Sequence, residues 1–262
     1  MKIKELYTFF LSELKPFYEP GEAAAISSMI FESVASASKS SILTHPDLEL
    51  NTITREKLQL ALNELKQHKP VQYIIGHAWF YNLQFIVNPA VLVPRPETEE
   101  LVGAVIDFIK THNKKSLLDV GTGSGCIPVS IKKNCPNIHT TAMDVSEDAL
   151  LVAKQNAALH STDIDWIKMD FLEEQNWGKL NSFDVIVSNP PYIPENEAQK
   201  MDKNVVAFEP GLALFVPDNE PLLFYQKLAA FGKEHLQMDG CIFMETHEDY
   251  AKEVANYFVQ HG

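Results

Sequence analysis

The strongest constraint on this chain's fold is the alternation that begins at Ser116. Five short apolar segments, 116–120, 138–144, 163–169, 183–188 and 241–245, are separated by stretches of helical spacing. The intervening helices are expected to begin near Ser124, Ser146, Asp218 and Glu248. Short apolar runs alternating with helices imply βαβ units and a mostly parallel sheet, an α/β fold. With 262 residues, 45% of them hydrophobic, the chain can bury a substantial core as one large domain or two modest ones.

The first of these segments runs into Gly121-Thr122-Gly123-Ser124-Gly125, and a helix follows. Glycines at a strand-to-helix turn let the backbone approach a ligand closely, and the helix start offers unpaired N–H groups. Such a turn alone also fits a nicotinamide dinucleotide, a flavin, a phosphate or simply a tight bend. The spacing is GxGxG rather than GxGxxG, and Asp144 closes the next strand about 20 residues on, where a carboxylate accepts from ribose hydroxyls. That arrangement suits NAD and S-adenosylmethionine equally. Asp119 precedes the loop, a sensible place for a carboxylate near a cationic ligand. Asp170 and Phe171 close the third strand. Asp170 reads either as an acceptor for an adenine amino group or as a turn residue, and Phe171 either as a base-stacking ring or as a core aromatic.

The fourth segment ends in Asn189-Pro190-Pro191-Tyr192. Ligands of open parallel sheets sit beyond the carboxyl ends of the strands, so this tetrapeptide should share a crevice with the glycine loop. Two successive prolines give a stiff loop whose carbonyls serve no helix or ladder. The Asn189 side-chain oxygen and the Pro190 carbonyl are then placed to accept both protons of a planar NH2 group, with Tyr192 stacked on its plane. An amide nitrogen is a poor nucleophile because its lone pair is delocalised. Two acceptors aim that lone pair at a sulfonium methyl and stabilise the charge that develops on nitrogen. Methyl transfer from S-adenosylmethionine to an amide or amine nitrogen is the chemistry these residues suit.

Upstream, residues 1–75 read as helices. Ile3, Leu6, Tyr7, Phe10 and Leu14 share helical spacing, a second helix follows Pro20-Gly21, and Thr52 and Thr54 are candidate caps for a third. From Val71 the texture turns β-branched and aromatic, with turn formers at Gly76, Asn82 and Asn88-Pro89, and residues 76–93 read as a hairpin-like linker. A helix is expected over Thr98–His112, after Pro94-Arg95-Pro96. Residues 1–93 hold 8 Lys and Arg against 9 Asp and Glu, and the remainder 14 against 26. A formal charge of -13, concentrated in the half that carries the chemistry, lacks the basic footprint of a nucleic-acid binder. Three scattered cysteines, Cys126, Cys135 and Cys241, fit neither a disulfide framework nor zinc spacing, and no metal is expected. No apolar stretch approaches a membrane span, so a soluble, cytoplasmic protein without a membrane partner is expected.

Taken together, these segments resemble the release factor glutamine methyltransferases (the HemK/PrmC type). The resemblance spans nearly the whole chain: Pro70–Gly76, Val93–Glu99, Asp119–Gly125, Asn189–Ile193, Glu209-Pro210 and Ala213-Leu214. Asn-Pro-Pro-Tyr is shared with DNA adenine and some RNA methyltransferases, whereas the Pro94–Glu99 segment and the helical N-terminal region are more specific. The resemblance implies a Rossmann-like class I methyltransferase domain over 94–262 behind a helical substrate-docking domain over 1–75. It implies S-adenosylmethionine, leaving as S-adenosylhomocysteine, against Gly121–Gly125, Asp144, Phe171 and Asn189. It implies that Asn189, Pro190, Pro191 and Tyr192 hold the glutamine of the Gly-Gly-Gln loop in class 1 peptide chain release factors. Arg95, Glu97 and Thr98 are expected to line or brace the pocket, or simply to cap the following helix. Relatives usually continue past the helix at 248–259 into an antiparallel strand pair. This sequence stops at Gly262, so either the strand pair lies beyond the sequence given or the sheet lacks that edge. A ribosomal-protein glutamine methyltransferase and a DNA or RNA amino-methyltransferase are the rival readings.

Overall fold

The computed structural model describes residues 2–261; Met1 and Gly262, which bound the expected domain ranges, lie outside them. The chain divides into two compact units. One comprises residues 1–76 with 202–208, the other residues 77–201 with 209–262.

The first unit is helical: α1 (Ile3–Leu14), α2 (Pro20–Ala35), α3 (Lys39–Thr44), α4 (Thr52–Leu65) and α5 (Val71–Ile75). Ile3, Phe10 and Leu14 from α1 meet Ile30 and Phe31 from α2 and Leu58, Leu62 and Leu65 from α4 in one buried cluster. Tyr7 and Phe10 both set ring edges on Phe31, at 5.1 and 5.5 Å. The cap of α4 is Asn51, whose Oδ1 accepts from the Thr54 N–H at 2.8 Å, so Thr52 and Thr54 lie inside the first turn rather than capping it. Val71–Ile75, β-branched in texture, forms a helical turn instead, ended by Gly76 at φ +78°.

The hairpin β1 (His77–Phe80) and β2 (Leu83–Ile86) begins the second unit. Its two turn residues, Tyr81 and Asn82, both have positive φ, as a two-residue turn matched to strand twist requires. Phe80 and Phe85 are buried in this unit's core, so the segment is a packed element rather than a linker. Then come α6 (Glu97–His112), β3 (Ser116–Val120), α7 (Cys126–Asn134), β4 (His139–Asp144), α8 (Glu147–Leu159), β5 (Asp165–Lys168), β6 (Phe183–Ser188), β7 (Ile193–Pro194), α9 (Lys203–Phe208, grouped with the helical unit), β8 (Phe215–Val216), α10 (Leu223–His235), β9 (Leu236–Met244) and α11 (Ala251–His261).

Five strands form one parallel sheet in the order β5-β4-β3-β6-β9. Both faces are covered, because alternate residues serve separate clusters. Leu117, Val185 and Val187 join Val102, Val105 and Val129 on one face, while Leu118 and Ile186 join Trp177, Leu228 and Phe231 on the other. The order reverses at β3, whose neighbours are β4 on one side and β6 on the other. Beyond the carboxyl ends of these three strands an open α/β sheet places its ligand. The edge strand β9 loses register between Phe183 and Val185, with Asp239 at φ +61°. Among the described residues no helix is long and apolar enough to cross a membrane, and no group of three or more His, Cys, Asp or Glu is placed to hold a metal.

Candidate active site

The glycine loop is held open by neighbours on β4. The Gly121 and Thr122 N–H groups both donate to the Met143 carbonyl, at 3.0 and 2.9 Å, and the Gly123 N–H donates to Asp144 Oδ2 at 2.9 Å. Asp144 Oδ1 accepts from the Ser146 N–H at 2.9 Å, so one carboxylate ties the loop to the start of α8. Each of its oxygens keeps a second lone pair for a ligand hydroxyl. Burial raises the Asp144 pKa, and the backbone N–H groups act against that rise. Gly125 has φ +77°, and a Cβ there would stand 3.0 Å from Ala153 Cβ, so close packing of α7 on α8 requires glycine. Asn156 secures the same corner from a fully buried position. It donates to the Ser124 carbonyl at 2.8 Å and pairs with both backbone groups of Ile86.

Asp119 lies fully buried on β3 under this loop rather than in the crevice wall. Its carboxylate oxygens and Thr122 Oγ1 have no hydrogen-bond partner among the described residues. Burial pushes the Asp119 carboxyl up to about 7; Thr122 opposes the shift from outside hydrogen-bonding geometry.

One crevice gathers most of the sequence candidates. Gly121, Thr122, Gly123, Ser124, Asp144, Asp170, Phe171, Asn189, Pro190 and Pro191 all line it, as do Arg95 and Thr98. Gly125, Glu97 and Tyr192 are not on the lining. Asp170 Oδ1 accepts from the Leu172 N–H at 2.9 Å, making a turn at the crevice mouth. Phe171 is only 5% exposed, stacked on Trp177 and edge-on to Phe231, so its ring is chiefly a core aromatic at the base of the crevice. Tyr192 is half-buried with its ring edge-on to His247 at 6.0 Å, and burial followed by the charge of Glu245 raises its pKa.

Five further hydrogen bonds build the wall around Asn189. Ser188 Oγ donates to the Val120 carbonyl at 2.8 Å, locking the end of β6 to the root of the glycine loop. Asn189 Nδ2 donates to Thr98 Oγ1 at 3.2 Å, and Thr98 Oγ1 donates to Glu245 Oε2 at 2.6 Å. Glu209, its side chain 2% exposed, accepts from Arg95 at 2.6 Å and from the Val93 N–H at 3.2 Å, pinning the segment that faces the loop. No local motif or spacing in the sequence singles out Glu245 or Asn156. Glu245 follows the last sheet strand, and its position at a strand's carboxyl end was the available signal.

The methyltransferase small domain family model matches residues 102–208, and the PrmC N-terminal domain model matches residues 5–76. A release factor glutamine methyltransferase of Flavobacterium psychrophilum is 40% identical over 97% of this chain and 89% of its own length. The protein of that description from Bacteroides thetaiotaomicron is 35% identical over 96% and 90%. The chain belongs to the release factor glutamine methyltransferase family. The Streptococcus pneumoniae member is 36% identical over 100% of this chain and 91% of its own length. As a member of this family the chain is a methyltransferase, and its parallel sheet and glycine loop are the fold on which that activity stands.

Proposed function

We propose that this enzyme transfers a methyl group from S-adenosylmethionine to the side-chain amide nitrogen of the glutamine in the Gly-Gly-Gln motif of class 1 peptide chain release factors. The observation that carries the reading is the shared crevice, where Asn189, Pro190 and Pro191 face the same space as Gly121–Ser124 and Asp144. The substrate class comes from relatives that match nearly the whole chain, all of them release factor glutamine methyltransferases.

The residues present fit a cationic nucleoside ligand. Asp144 offers carboxylate lone pairs at the end of β4, and the unpartnered Thr122 hydroxyl and buried Asp119 carboxylate lie at the loop itself. S-adenosylmethionine, when bound, supplies an electrophilic methyl group on a sulfonium. The chain's own part is placement. Asn189 Oδ1 and the Pro190 carbonyl accept the two amide protons and hold the nitrogen lone pair toward the methyl carbon. They also stabilise the positive charge on nitrogen, and the acidic N-protonated amide then loses its proton to water, so no strong base is required. The helical unit is proposed to help dock the release factor, and no nucleic acid or resident metal enters this reading. Three free thiols suit a reducing, cytoplasmic setting.

Asn189→Ala is expected to cut transfer on the order of 100-fold or more, the scale seen when one preorganised hydrogen-bonding group is removed. Single-turnover transfer to a release factor, beside a melting curve, checks this. Near-normal transfer by the folded variant contradicts it.

A further inference from the structure

Asn189 is reached from behind by a chain of two hydrogen bonds with a built-in direction. Thr98, 2% exposed on α6, accepts from Asn189 Nδ2 and donates to Glu245 Oε2. The Glu245 N–H also donates to the Ser188 carbonyl at 3.1 Å, which keeps the carboxylate beside the end of β6. A hydroxyl has one proton, and an ionised carboxylate can only accept. The Thr98 proton therefore goes to Glu245, and Thr98 meets Asn189 with a lone pair. Asn189 must then turn its NH2 to Thr98, which leaves Oδ1 on the opposite side of the amide plane.

We propose that Thr98 and Glu245 are positioning residues that fix which end of the Asn189 amide faces the substrate, with the charge on Glu245 as the determinant. This rests on Asn189 being the acceptor for the reacting NH2. With Glu245 protonated, the chain can reverse. Glu245 donates to Thr98, Thr98 donates to Asn189 Oδ1, and the Asn189 NH2 confronts the incoming NH2, donor against donor. Amide orientation is otherwise a weakly determined two-fold choice.

The surroundings favour such a switch. Glu97 on α6, Tyr192 after β6, Tyr225 on α10 and Cys126 on α7 each interact electrostatically with Glu245. Burial first, then the charge of Glu97, holds its carboxyl above the usual range, against the Thr98 hydrogen bond. The active form has Glu245 ionised. Transfer should fall as pH drops through the raised Glu245 pKa, at a higher pH than an ordinary glutamate would give.

The test is the pH profile of single-turnover transfer to a release factor, for wild type, Thr98→Ser, Thr98→Val, Glu245→Gln and Asn189→Ala, with S-adenosylhomocysteine affinity and melting measured on each. Thr98→Ser should keep wild-type transfer. Thr98→Val should lose on the order of tenfold, one neutral hydrogen bond's worth. Glu245→Gln, able to donate or accept, should lower the plateau and abolish the acid limb, with cofactor-product affinity unchanged. Wild-type rates and an unchanged acid limb in both Thr98→Val and Glu245→Gln overturn the relay, while an inactive Asn189→Ala leaves the proposed function standing. Normal transfer by Asn189→Ala overturns both. If Thr98→Val does not fold, the Glu245→Gln pH profile decides alone.

Discussion

Asp144 holds the glycine loop and the start of α8 with one carboxylate, and its remaining lone pairs face the crevice. Asp144→Ala should therefore weaken S-adenosylmethionine binding by about 1.5–3 kcal/mol for each charged hydrogen bond lost. Calorimetry showing undiminished affinity would remove its role. Asp119 gives a prediction in stability instead. Its folded pKa, about 7, stands above the ordinary 3.8, so the folded state binds the extra proton between those values. Asp119's stabilising contribution is complete below pH 4 and is lost as pH rises through 7. Asp119→Asn should thus gain on wild type over that window, up to about 4 kcal/mol at the alkaline end. Parallel stability curves for the two proteins from pH 4 to 8 would contradict this. Of these residues, Asp144 and Asn189 were legible because each closes a strand beside a recognisable turn. Asn156 was not. Its three backbone partners lie 32 and 70 residues away, and local spacing makes a mid-helix asparagine look like a solvated position.

Elements followed the same division. The five sheet strands were readable from buried apolar runs, since a strand covered on both faces needs them. Lengths and ends were less so: β9 begins at Leu236, five residues before its readable apolar core, because the irregular 237–240 stretch hides the pairing. Helices α3 and α5 escaped because five or six residues are too few to show a period. The hairpin was visible as strands, but its place in the core was not, since Phe80 and Phe85 meet their partners only in three dimensions. The junction of α7 with α8 offers a direct check. Gly125→Ala forces a Cβ to within 3.0 Å of Ala153 at positive φ, and should cost at least about 1–2 kcal/mol and loosen cofactor binding. Gly178→Ala, with nothing within 4 Å and no positive φ, should change neither. Equal melting temperatures for the two variants would show that the α7–α8 contact yields more readily than its geometry indicates.

At the scale of the molecule, one unit bears the crevice and the other is a helical body matched by its own family model. The acidic balance of the chain, -13, sets it apart from proteins that grip nucleic acid through phosphates. Substrate choice is therefore the property to measure. The most direct measurement offers the enzyme labelled S-adenosylmethionine together with a class 1 release factor, purified ribosomal proteins and adenine-containing DNA, and maps each labelled product. Label is expected on the release factor alone, on the side-chain nitrogen of the glutamine in Gly-Gly-Gln, and none after that glutamine is replaced. Label on DNA adenine or on a ribosomal protein, with the release factor unmodified, would contradict it.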